Sequence, residues 1–216
     1  MTMGREESKP KIEELAAKFS RYEKEGKLAG LSESDTKAIF IEPLFEALGW
    51  QVRDLEEVSR ENTISKGRVD YSFRTSGVVR FFMEAKAADV PLGEKETAQA
   101  IDYSYYQSVP WVVLTNFRQL AIYNAEWKEG EQRFLKFDFA EYAARLGELW
   151  SLSKESLLNG ELDAYAERVG KGKMRDPLTK TLYSDFRKWR GALTRNIAEH
   201  SRMNKLTKDQ IDEGVQ

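Results

Sequence analysis

The apolar positions of the chain change period twice. From Lys11 to Lys27, Ile12, Leu15, Ala16, Phe19 and Tyr22 recur at helical spacing ahead of Gly26 and Gly30. Residues 1–10 are polar and charged and are expected to fray. Ser32 opens a second helical stretch, with Asp35 placed to complete a capping box and a stripe of Phe40, Ile41, Leu44, Phe45 and Leu48. Pro43 inside it is expected to kink the helix or remove one backbone bond, and Gly49 to end it.

The middle of the chain switches to period two. "RVDYSF" (68–73) alternates, with Val69, Tyr71 and Phe73 on one side and Asp70 and Ser72 on the other. "RTSG" reads as a turn and "VVRFFMEAK" as the returning strand of a hairpin. Residues 94–108 read as a helix after Pro91 and Gly93. "WVVLTN" (111–116) and "QLAIYN" (119–124) read as neighbouring strands, and "FLKFDF" (134–139) as an edge strand. From about Ala140 the pattern is helical, with a soft boundary in the Gly/Lys-rich stretch 170–177. Leu182, Phe186, Trp189 and Leu193 form a further stripe, and "LTKDQIDEGVQ" begins a helix the chain barely finishes, as a piece of a longer protein would.

The expected fold is α/β: a central mixed sheet flanked by helices. Residues 1–30 are expected to form an N-terminal helical extension, 31–140 the core and 141–216 a helical connector.

Composition removes several chemistries. With no cysteine and one histidine, His200, there is no disulfide framework and no thiolate or histidine-rich metal site. "GKGK" (170–173) lacks phosphate-loop spacing. No apolar run is long enough to span a membrane and "MTMGREESKP" lacks the apolar stretch of a secretory signal, so no membrane partner and a cytoplasmic setting are expected. The net charge of −2 leaves room only for local basic surface, such as the seven Lys/Arg of residues 171–190.

The chemistry concentrates in the hairpin. Asp70 and Glu84 fall on strands that pair, and Glu84 and Lys86 share a face of theirs. Two carboxylates and the intervening Ala85 carbonyl are hard oxygen ligands suited to Mg²⁺, with Mn²⁺ able to substitute. Such an ion acidifies its water and offsets charge on a phosphate. Lys86 is placed to orient or deprotonate that water, or to stabilise the charge that develops. The plainer alternative is a buried strand emerging into solvent at Glu84 and Lys86.

The ordered set "VDY", "MEAK", "QAIDY" and "WVVLTNFRQLAIYN" resembles the PD-(D/E)XK nuclease superfamily. Within it, the resemblance is to the N-terminal nuclease domains of Type IIG restriction–modification enzymes and of Type I restriction R subunits. "SESDTKAIFIEPLFEALGW" resembles the helix that precedes the nuclease strands in those proteins. Residues 180–216 resemble the connector that leads into the Type IIG methyltransferase. The resemblance implies metal-dependent hydrolysis of double-stranded DNA, leaving 5′-phosphate and 3′-hydroxyl ends. Asp70 and Glu84 would hold the metal and Lys86 would be the catalytic lysine. Val69 stands where the family carries proline. Gln99 and Tyr103 match a QxxxY element that implies DNA or site positioning, on a face shared with Tyr106. Glu33 is placed to reach the metal as an accessory carboxylate. The implied partners are downstream methyltransferase and target-recognition domains and, for double-strand cleavage, a second copy on DNA. The alternatives are the nuclease arm of a Type I or helicase-fused enzyme, and an inactive domain that keeps the fold for binding.

Overall fold

The computed structural model describes residues 4–64, 67–126 and 133–171, together with Trp189 and Leu193. The chain divides into two compact units, Met1–Gly172 and Lys173–Gln216. In the second, Trp189 and Leu193 are helical and exposed. The rest of the 180–216 connector, His200 and most of the basic stretch lie outside the described residues.

The first unit is built on a six-stranded sheet in chain order: β1 (Val58–Ile64), β2 (Gly67–Thr75), β3 (Val78–Ala85), β4 (Trp111–Thr115), β5 (Gln119–Asn124) and β6 (Arg133–Asp138). All neighbours are antiparallel except β3 and β4. That parallel pair needs a crossover, and helix α4 (Glu94–Tyr106) supplies it. The sheet is mixed and flanked by helices, as the sequence led us to expect. β2 and β3 join through the two-residue loop Ser76-Gly77, whose φ angles of 51° and 76° give the turn hand that matches strand twist.

One face of the sheet carries the main core. It is covered by α1 (Arg5–Lys24) and by a helical run made of α2 (Glu33–Thr36), a π turn (Lys37–Ile41) and α3 (Glu42–Ala47). The short helices α5 (Leu146–Leu149), α6 (Lys154–Leu158) and α7 (Glu161–Arg168) close the same core. Phe73 stacks on Phe81 at 4.3 Å between ring centroids, with Phe45 and Trp50 against the pair. Phe19, Phe40 and Phe117 form a second aromatic group. The opposite face is covered by α4, whose Ala100 and Ile101 pack on Val112 and Leu114.

Four expectations are corrected. The N-terminal helix begins at Arg5, inside the stretch expected to fray, and carries Pro10 within it. Its Ile12 and Phe19 are fully buried in the main core. Strand β1 has no counterpart in the sequence reading, because "VSRENTI" is too polar to show alternation. Pro43 sits at the start of α3 directly after the π turn, so the irregularity falls in the turn before it.

The fourth correction concerns Val69. It packs with Phe82, Tyr103 and Val109 on the α4 face, whereas Tyr71 and Phe73 belong to the main core. The β2–β3 ladder stops at the pair Tyr71 and Met83. Continued on that register, Ala85 would face Val69. Instead the Ala85 N–H donates to Asp70 Oδ2 at 2.8 Å, so a side-chain carboxylate takes the place of the backbone carbonyl. The alternation breaks there.

Phe73→Ala removes the ring around which Phe45, Trp50 and Phe81 are arranged and leaves a cavity. The expected loss is about 3–5 kcal/mol, read from urea unfolding at constant m-value.

Candidate functional site

Where the β2–β3 pairing ends, β2 and the end of β3 meet the start of α2 around five charged side chains: Glu33, Lys37, Asp70, Glu84 and Lys86. Ser32 begins the helix as expected. Its hydroxyl accepts from the Asp35 N–H at 3.0 Å, and the Ser32 N–H donates back to Asp35 at 3.3 Å. Thr36 is fully buried, and its Oγ1 accepts from the Ala88 N–H at 3.1 Å. That bond ties the helix to the segment just after Lys86. It delivers Lys37 to the carboxylates.

Lys37 Nζ donates to Glu33 Oε1 at 2.6 Å and to Asp70 Oδ1 at 2.7 Å, with the Tyr71 ring centroid 5.8 Å away. Burial works against the Lys37 ammonium, but the hydrogen bonds to Asp70 and Glu33 outweigh it and hold the pKa above the ordinary lysine value. Tyr71 is fixed in turn. Its hydroxyl donates to Glu42 at 2.8 Å, and Arg60 holds Glu42 at 2.9 Å. Burial first, then Glu42, pushes the Tyr71 hydroxyl far up and keeps it neutral.

On the other side of Asp70, Lys86 Nζ donates to Glu84 Oε1 at 2.7 Å. Burial raises the Glu84 pKa; Lys86 opposes the rise, and the charges of Asp70 and Glu33 add to it. Burial pulls the Lys86 pKa down, but Glu84, Glu33 and Asp70 together leave it raised. Lys86 is therefore a firmly protonated cation in this state. Three carboxylates crowd one place, and two lysines compensate them.

Asp70, Glu84, Lys86 and Glu33 are thus brought together. Lys37 was not singled out, because a lysine four residues after a glutamate carries no local signal beyond that of an ordinary helix pair. Among the described residues no three carboxylates or imidazoles stand close enough to hold a metal ion by themselves. The donor set nevertheless fits Mg²⁺, which takes one or two carboxylates and keeps its waters. The N–H and C=O of a strand residue point to the same side, so the Ala85 carbonyl leaves its strand toward Asp70.

The QxxxY pair is not brought together on one exposed face. Gln99 is exposed, and so is Tyr106 at 77%. Tyr103 is buried with its ring 5.1 Å from Phe82, and its hydroxyl has no hydrogen-bond partner among the described residues. Burial raises the pKa of that hydroxyl.

Residues 32–137 match the family model described as the Type I restriction enzyme R protein N terminus. No curated protein matches the chain. Among solved structures the chain is similar to a fragment described as an HsdR subunit of a type I restriction enzyme from Vibrio vulnificus YJ016. Identity there is 22% and TM-score 0.41, over 55% of this chain and 26% of that one. It is also similar to a chain of the DrdV–DNA complex, at 17% identity and TM-score 0.44, over 67% of this chain and 94% of that one. The chain spans about a quarter of the HsdR fragment. The resemblance to restriction-enzyme N-terminal domains, read from the sequence, is borne out over the matched segment.

Two outcomes test the geometry. Tyr103→Phe removes a buried hydroxyl with no partner, a group that costs about 1–3 kcal/mol, so the urea midpoint of the variant is expected at or above that of the wild type. A lower midpoint would mean the hydroxyl is bonded. For Glu84, a folded-state pKa above the free value of 4.5 means the folded protein holds the proton more tightly. The stability this group contributes is complete below 4.5 and is lost as pH rises through the raised value. Glu84→Gln should flatten the metal-free stability profile over that interval, and parallel profiles would refute the shift.

Proposed function

We propose that residues 32–137, matched to the Type I restriction R-protein N terminus, form a magnesium-dependent DNA endonuclease module of a restriction system. The observation that supports this most is the meeting of Asp70, Glu84 and Lys86 at the ends of two paired strands within the matched segment. Asp70, Glu84 and the Ala85 carbonyl would hold the ion, and Mn²⁺ would serve in its place. A bound magnesium ion supplies an acidified water and offsets charge on the phosphate.

The protein's own groups divide the remaining work. Asp70 is held by the Ala85 N–H, so its position is set by the β3 backbone and not by a free rotamer. Glu84 positions the Lys86 ammonium at 2.7 Å. That lysine is placed to orient or deprotonate the attacking water, or to stabilise charge that develops on the phosphate. Substrate would be double-stranded DNA, approached through local positive charge and with strong salt dependence. The likeness of residues 180–216 to a methyltransferase connector favours a Type IIG setting over a helicase-fused one. Methyltransferase and target-recognition domains, and a second copy on DNA, are the partners this reading requires.

Calorimetric titration with Ca²⁺ and Mg²⁺, beside nicking of supercoiled plasmid, tests it. Asp70→Ala should lose both metal binding and nicking. Lys86→Ala should keep metal binding and lose nicking. Metal binding unchanged in the Asp70 variant would sink the site, and nicking retained by the Lys86 variant would sink the role given to that lysine.

A further inference from the structure

The gap between Glu33 and Asp70 is filled. Lys37 Nζ lies 2.6 Å from one carboxylate and 2.7 Å from the other, with the face of Tyr71 beside it. Its side chain is 18% exposed, close to the 16% of Asp70. The stem is short of freedom. Lys37 is the first residue of the π turn, directly after Thr36, whose buried hydroxyl is bonded to the Ala88 N–H. Tyr71 cannot swing away either, since Glu42 holds its hydroxyl and Arg60 holds Glu42. The ammonium therefore sits in a built seat with two anionic walls and an aromatic one.

We infer that Lys37 occupies the place between Glu33 and Asp70 that a second divalent cation would take, so that the site admits a single such ion. This rests on the reading of Asp70 and Glu84 as metal ligands. A carboxylate pair that brackets a cation at these distances is the arrangement that would otherwise recruit a metal, and a tethered lysine supplies the charge without dissociating. A dication entering the same seat would bind oxygens at about 2.0–2.1 Å, closer than the ammonium does, and would have to expel it against two ion pairs. The Glu84 side of Asp70 is different. Each Asp70 oxygen offers two acceptor sites, and Lys37 and the Ala85 N–H use one on each, which leaves one site on each oxygen open to an ion shared with Glu84. Glu33 is then an anchor for Lys37 and only indirectly a part of the metal site.

The test is the number of Mn²⁺ ions bound per full-length chain, read by calorimetry and by the signal of free Mn²⁺ in electron spin resonance. Wild type is expected to bind one. Lys37→Met is expected to bind two, or to bind its one ion at least tenfold more tightly, and Glu33→Gln combined with it should return the count to one. Without metal, Lys37→Met should melt below wild type, and Ca²⁺ should restore it. Lys37→Gln, neutral and polar, repeats the count if the methionine variant folds poorly. Two ions in wild type, or variants indistinguishable from it, would overturn the inference and leave the nuclease reading intact. No Mn²⁺ bound by any variant would overturn the metal site itself, and this inference with it.

Discussion

Asp70 is the residue on which the rest of the site turns. One of its oxygens accepts from the Ala85 N–H and so stands in for a strand carbonyl; the other accepts from Lys37 and so reaches the helical layer. A single carboxylate thereby closes the open end of a hairpin and pins a helix to it. Because the β2–β3 ladder has already ended at Tyr71 and Met83, the two strands are free to part at this point. The parting is what exposes backbone oxygen and side-chain carboxylate to a common space. A fully zipped hairpin would spend the backbone oxygen in the ladder.

The charge pattern follows from that placement. Burial, with the charges of Asp70 and Glu33 beside it, raises the cost of ionising Glu84. Two lysines from different parts of the chain answer it, Lys86 from the strand itself and Lys37 from the helix. The pairs are not exposed surface bridges of small worth. Each has an ammonium and a carboxylate about four-fifths removed from water, so loss of one partner would strand the other.

Much of this was legible in the sequence, for identifiable reasons. The strands β4 and β5 are continuous apolar runs, and the hairpin turn carries the Ser-Gly pair that positive φ favours, so both stood out. Asp70, Glu84 and Lys86 could be placed together because a hairpin fixes which residues face one another. What failed to show was everything set by contacts between distant segments. β1 is polar along its length, because it is an edge strand with little apolar signal. Val69 read as continuing the face of Tyr71, and only the Asp70 bond to Ala85 turns it the other way. Lys37 looked like any helix lysine paired four residues back, since nothing local says that a strand thirty-three residues on will supply its second partner. Tyr103 matched a motif by spacing, yet its helix turns that ring inward onto Phe82.

The two-residue link at Ser76-Gly77 has a mechanical consequence. It keeps Asp70 and Glu84 close along the chain, with Lys86 just past the second strand and held by the Thr115 carbonyl of β4. Lys37 arrives from a separate layer through a helix held at Thr36. A displacement of that layer would therefore act twice, on the charge beside Asp70 and, through the Lys37 and Thr36 bonds, on the position of the hairpin end itself.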